Sequence, residues 1–452
     1  MTRDDLQLGA TAAIALGLGY LIGRGRSSSR PLLQKALDAL PKATAPRSHP
    51  MPSTTVDSGA LPMTLPKVGL GDGAALDALA PMALDGCAQL SHPGYFAHMD
   101  PASAEVACAA SLWQVATNQN LLHPDAAPSA RGLEKRVVEW LVPYFGMRGG
   151  HLVAGSSVAN LTALWAAREV GGVKRVFASE RSHNSLRKAA DMLGLAYVSV
   201  PSDPSSHVCD MATQLAAEAD LSDAAIVLTA GTVATGAVDV LSPRPQSAAW
   251  VHVDMAWAGP MRLSPTLAGQ LDGVQHADSC GFSAHKWLYQ PKGCAAILFA
   301  DPEVAHGCMS YGGGYLATPT VGVAGTQPAS ALPLAATLLA WGGEGIAARL
   351  EADVAKLDEL ARLIGGDDRF EMWGSGDGGP SCGVLAWRPR KRVADDVSAV
   401  RARLRGAWVS LTVIDGETWF RSVAANVNAD PALVFRAVVA AVEQEGAPRT
   451  GT

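Results

Sequence analysis

Apolar positions in the middle of the chain fall in short unbroken runs: "RVFAS" (175–179), "AYVSV" (196–200), "AIVLTA" (225–230), "WVHVDM" (250–255) and "AAILFA" (295–300). Strands covered on both faces read this way, and helical or loop stretches separate the runs. The pattern predicts an α/β fold with a mostly parallel central sheet. Upstream, "RGLEKRVVEWLVPYF" has helical periodicity and sets Leu133, Val137, Trp140 and Leu141 on one face. "SVANLTALWAAREV" predicts a second helix, reached through the small-residue turn "AGSS". From about Leu332 the pattern becomes long helices, and then "CGVLAWRP" and "WVSLTVIDGETWFRSVA" supply strands. The expected division is an N-terminal apolar segment and Pro/Ser-rich linker (1–66), a large domain (67–330) and a small α+β C-terminal domain (331–446).

The apolar run at residues 6–23, "LQLGATAAIALGLGYLIG", precedes the basic "RGRSSSR" and just reaches the length of a short membrane span. Arg24, Arg26 and Arg30 would keep its C-terminal side cytoplasmic. Its Ala and Gly content favours insertion only weakly, so a helical arm packed on a partner subunit is the other reading. Of the 452 residues, 48% are apolar and 17% charged, as in a globular protein. The net charge of -6 is spread out, with no basic stripe to hold nucleic acid. Seven scattered cysteines without a CxxC pair argue against a disulfide framework or a zinc site and for a reducing, cytoplasmic compartment. No metal is expected.

Candidate chemistry gathers at predicted strand ends, where open α/β folds bind ligands. "GSS" (Gly155, Ser156, Ser157) opens a helix, so its N–H groups and the helix dipole suit a phosphate. Asp254 in "HVDMAWAG" ends an apolar strand, as a helix cap or as a deliberate negative charge. His183 in "SERSHNS" follows another strand and is structural or catalytic. Lys286 in "FSAHKWLYQPKG" has apolar, aromatic company, which turns an ammonium into a usable amine; alternatively it snorkels to the surface. A phosphate cradle, an aspartate, a histidine and a lysine are together the parts that hold pyridoxal phosphate.

With these motifs in order, the chain from about Leu90 to Val442 resembles the group II pyridoxal-phosphate-dependent amino acid decarboxylases, of the aspartate-aminotransferase-like fold (fold type I). "SHPGYFAHMDPAS" resembles the family's substrate-pocket segment, "AGSSVANLTALWAAR" its phosphate-binding turn and helix, and "FSAHKWLYQPKGCAAILF" its Schiff-base signature. The resemblance implies that Lys286 forms the Schiff base, Asp254 meets the pyridine nitrogen and His183 lies over the ring. It also implies that Ala256 packs under the ring, that Thr232 and Ser283 contact the cofactor, and that His285 lies near its phosphate. For the substrate it points to Tyr95, His98 and Met99, to Arg421 as a carboxylate partner or structural ion-pair residue, and to Tyr315 or Tyr311 as a proton source. Conversion of an L-amino acid to its amine plus CO2, in a homodimer, is the activity it implies.

Two departures qualify the resemblance. Where many members carry a long mobile loop with a tyrosine, this chain has the compact "SYGGGYLATPTVGVAGTQPAS", with Gln327 at an arginine position. Val158 stands where glutamate is common. Aromatic residues near Tyr95 favour an aromatic substrate, and Asp100 either selects a cationic one or caps the helix after it, the reading favoured here. Two rivals follow: a membrane-anchored carbon–carbon lyase similar to sphingosine-phosphate lyase, and a catalytically inactive scaffold.

Overall fold

The computed structural model describes residues 31–53, 57, 59, 61–217, 220–313, 320–374 and 382–444. The apolar run at 6–23 and Tyr315 lie outside these residues. Two compact units are present, one formed by Met1–Arg47 with Met51–Gln89 and the other by Ser48–Pro50 with Leu90–Thr452. Residues 67–89, grouped by the sequence with the large domain, thus fall in the N-terminal unit. That unit is held by side chains reaching backbone. Gln89 donates to the Ala43 and Ala45 carbonyls, and Arg47 to those of Leu84 and Cys87.

The second unit is built on a seven-stranded sheet: β1 (Gly149–Val153), β2 (Arg175–Ser179), β3 (Ala196–Val200), β4 (Ala224–Thr229), β5 (Trp250–Asp254), β6 (Ser279–Phe282) and β7 (Ala295–Phe299), in spatial order β1-β7-β6-β5-β4-β2-β3. The pairs β2/β3, β2/β4, β4/β5 and β5/β6 are parallel, whereas β7 runs antiparallel to both β6 and β1. Every residue of β4, β5, β6 and β7 is buried; in β4 and β7, and in β5 apart from His252 and Asp254, this burial appears as an apolar run, whereas β6 reads "SCGF". The register sets Thr229 of β4 beside Asp254 of β5 and Asp254 beside Gly281 of β6. Gly281 lets the helix Ser156–Gly171 lie close on the sheet, because a Cβ there would come within 3.0 Å of the Ala159 Cβ.

The helix Ala130–Phe145 buries Val137, Val138, Leu141 and Phe145, and Phe145 stacks on Phe282 of β6 with centroids 5.0 Å apart. Trp140, expected on that face, is 36% exposed; the buried stripe runs through Val138 and Phe145 instead. The long helix Ala331–Gly365 breaks at Gly342 (φ 61°, ψ 179°), where glycine alone is unstrained. It is apolar enough to cross a membrane by composition, yet it buries Leu334, Leu350, Leu357 and Leu360 in the core of this unit. A second, antiparallel sheet follows, formed by 370–372, 384–389, 410–414 and 417–423. Its last hairpin turns at Asp415 and Gly416, both at positive φ (51° and 80°), as a two-residue turn of this hand requires.

Candidate functional site

The carboxyl ends of β1, β2, β4, β5 and β6 meet at one edge of the sheet, and a cavity of about 420 Å³ opens there. That volume lies within the range of small-molecule sites. Its wall carries Gly155, Ser156, Ser157, His183, Thr232, Asp254, Ala256, Ser283, His285, Lys286 and Met99. Residues separated by almost 190 positions in sequence therefore line one hollow. A larger cavity of about 660 Å³ adjoins β1 and the helix Ala130–Phe145, with Glu134, Arg148, His151 and His306 on its wall. It holds none of the predicted residues, and its size alone assigns it no chemistry.

At one end of the smaller cavity the Ser156–Gly171 helix begins at Gly155 with no side-chain cap, so its first N–H groups remain open to an anion. The Ser156 and Ser283 hydroxyls lie 2.6 Å apart across this end. His285 adjoins Gly155 and donates from Nδ1 to the Cys294 carbonyl at 2.8 Å. Burial, helped by the Lys292 charge, holds the His285 imidazole down at about 4.

Asp254 is also on the wall and only 3% exposed. Its Oδ1 accepts from the Ala256 N–H at 3.1 Å and its Oδ2 from Asn160 Nδ2 at 2.8 Å. Asn160 also donates to Ser185 Oγ at 2.9 Å, and Ser185 Oγ lies 2.8 Å from Nδ1 of His183. Lys286 sits at the start of a turn after β6, its N–H donating to the Ser283 carbonyl and its own carbonyl accepting from Tyr289. Burial lowers the Lys286 ammonium below its ordinary range, against the opposing pull of Asp254 and Asp100. Thr229 Oγ1 is buried without a protein partner and also lines the hollow. A phosphate cradle, a desolvated amine and an anchored carboxylate in one hollow fit pyridoxal phosphate.

Tyr95, His98 and Arg421 stand apart from this wall. Tyr95 and Arg421 are buried, and Arg421 spends its donors on Ser410 Oγ, the Val233 carbonyl and His98 Nδ1. Burial, helped by Asp100, pushes the Tyr95 hydroxyl up to about 12. Tyr311 is 59% exposed and stacks on Trp165, away from the cavity wall. The helix cap expected of Asp100 is not made: Ala104 is the N-cap residue of the Glu105–Thr117 helix, and the Asp100 carboxylate pairs with Lys292. Asn160, Ser185, Lys292 and Trp257 went unmarked in sequence. For Asn160 a signal did exist, a lone amide in a helix of small and apolar residues one turn beyond the "GSS" turn.

A model of the pyridoxal-dependent decarboxylase conserved domain matches residues 77–373, well over half of the chain. The chain belongs to that family. Family membership makes pyridoxal phosphate its cofactor and amino acid decarboxylation its chemistry. The L-2,4-diaminobutyrate decarboxylase of Rhizobium meliloti is 29% identical over 412 residues, 82% of each chain. The aspartate 1-decarboxylase of Aliivibrio fischeri is 32% identical over 264 residues, and there the match spans 48% of the relative and 47% of this chain. Among solved structures, mouse CSAD superimposes with a TM-score of 0.80 at 22% identity, covering 92% of this chain and 98% of that one. The tryptophan decarboxylase of Catharanthus roseus gives 0.74 at 17% identity, covering 98% of both chains. These two likenesses establish the fold, fold type I. The relatives favour decarboxylation over the carbon–carbon lyase reading.

Proposed function

We propose that this family member removes the carboxylate of an L-α-amino acid as CO2 and releases the amine, with Lys286 carrying the cofactor. The observation that supports the reading best is the shared wall of Lys286, Asp254 and the uncapped start of the Ser156 helix. In this reading Gly155, Ser156, Ser157, Ser283 and His285 hold the phosphate, with Thr232 and Ala256 against the ring. Bound there, pyridoxal phosphate supplies an electron sink for the breaking Cα–carboxylate bond.

The side chains contribute the rest. Lys286, with its ammonium disfavoured by burial, offers a neutral amine at Nζ to the aldehyde carbon. Asp254 keeps a lone pair on each oxygen beyond those used by Ala256 and Asn160, and so receives a ring N–H. His183 caps the ring face. Val233 lines the wall and its carbonyl accepts from Arg421, which also meets His98 of the segment at Tyr95, His98 and Met99 assigned here to substrate. The family resemblance also implies a homodimer, and light scattering should then give twice the chain mass.

Purified protein should absorb near ~420 nm through its lysine-bound cofactor. Lys286→Ala should abolish both the band and CO2 release across a panel of amino acids. A band that survives this change, or aldehyde without CO2 from a phosphorylated amino alcohol, would overturn the assignment.

A further inference from the structure

Asn160 is 1% exposed and sits at the centre of a buried relay whose polarity can be worked out bond by bond. The Asp254 carboxylate only accepts, so Asn160 turns its Nδ2 toward Oδ2 at 2.8 Å. That leaves Asn160 Oδ1 facing Nε2 of His252 at 3.1 Å, which must therefore carry a hydrogen. Nδ1 of His252 is then an acceptor, 2.9 Å from the Ser279 hydroxyl, and Ser279 Oγ in turn accepts from Trp250 Nε1 at 2.9 Å. Burial holds the His252 imidazole down at about 4, which keeps this neutral tautomer in force.

The second Asn160 bond runs the other way, from Nδ2 to Ser185 Oγ at 2.9 Å. Ser185 Oγ, accepting there, donates to Nδ1 of His183 at 2.8 Å, and the Ser185 backbone N–H points at the same nitrogen at 3.2 Å. A backbone N–H can only donate, so Nδ1 of His183 is bare and the ring hydrogen sits on Nε2.

We infer that Asn160 is the positioning residue of this site: one amide group aims the Asp254 carboxylate and makes Ser185 Oγ an acceptor. The Ser185 hydroxyl hydrogen is thereby sent to Nδ1 of His183, which reinforces the Nε2–H tautomer set by the Ser185 backbone N–H. Asn160 itself borders the cavity, but both roles run through the side chains of Asp254 and His183. The inference rests on the cofactor assignment above, and wild-type apoprotein that fails to take up pyridoxal phosphate would refute that assignment rather than this one.

The test compares two near-isosteric replacements. Asn160→Leu keeps the branched shape, with slightly more bulk, and removes every side-chain hydrogen bond. Asn160→Asp keeps the shape, and donates to Asp254 only while the introduced acid is protonated. The readouts are the affinity of the apoprotein for pyridoxal phosphate and the pH midpoint of the bound absorbance band. Loss of a hydrogen bond to a charged group should weaken cofactor binding by about 10- to 100-fold in Asn160→Leu at every pH. In Asn160→Asp, binding should be near wild type at low pH and weaken as pH rises, a titration absent from the wild type. Ser185→Ala should shift the midpoint of the band while leaving cofactor affinity within about threefold, because it touches only the His183 arm. Wild-type affinity in Asn160→Leu, or an Asn160→Asp protein whose affinity ignores pH, would reduce Asn160 to packing. Should Asn160→Leu fail to fold, the pH dependence of Asn160→Asp decides alone.

Discussion

Asp254 and His183 were legible in the sequence because they end or follow apolar runs that reach one edge of the sheet, and Lys286 because of its apolar, aromatic neighbours. Asn160 stood out only as a lone amide and Ser185 not at all, since their meaning lies in bonds to residues as far as 94 positions away. Asp100 was misread because a carboxylate ahead of a helix usually caps it, whereas Lys292, remote in sequence, claims it here. His252, fully buried, carries a prediction of its own. Its imidazole is held at about 4 in the fold against 6.5 when exposed, so its contribution is present above pH 6.5 and lost as pH falls toward 4. The full difference amounts to about 3 kcal/mol. Asp353 and Asp239, raised by burial to about 6 and about 7, act in the opposite sense, so the wild-type slope is a difference of terms. Comparison with His252→Gln isolates one of them: the variant should lose less melting temperature between pH 6.5 and 4 than the wild type. Parallel curves would remove His252 from the account.

At the scale of elements, the turn carrying Lys286 is clamped from its far side. Trp287 Nε1 and the Tyr289 hydroxyl both donate to Asp353 Oδ2 on the helix Ala331–Gly365. Trp287 also stacks on Trp257, with centroids 4.4 Å apart and planes 13° from parallel, and Trp257 lines the cavity. Gly383 closes this stack: its φ is +69°, and a Cβ there would lie 2.5 Å from Cη2 of Trp287. Gly383→Ala should therefore cost about 2–4 kcal/mol, from a strained backbone together with overpacking. Chemical denaturation would measure it, and a loss below about 0.5 kcal/mol, the size of an ordinary surface change, would mean that Trp287 yields freely. The aromatic residues of "HKWLYQ" were visible in sequence, but the glycine and aspartate that clamp them were not, being about 65–95 positions downstream. The strands β2, β3, β4, β5 and β7 were legible as apolar runs, but the fully buried β6 was not, because "SCGF" is no such run. β1 was missed because "GGHLV" has two glycines and a histidine in place of an apolar run, and the reversed direction of β7 was invisible because burial looks the same either way.

For the whole molecule, the resemblance from Leu90 to Val442 covers nearly all of the second unit, and the family model reaches back to residue 77. Fold and family were thus readable from motif order, because the cofactor demands the same few side chains at the same sheet edge. The substrate was not readable, since the segment holding Tyr95 and His98 meets Arg421, which comes from the far end of the chain. The central claim is that Lys286 carries the cofactor. Reduction of the loaded protein with borohydride, followed by peptide mass mapping, tests it most directly. The account predicts a pyridoxyl-phosphate mass on the peptide containing Lys286; label on Lys292 or any other lysine, or none at all, would contradict it.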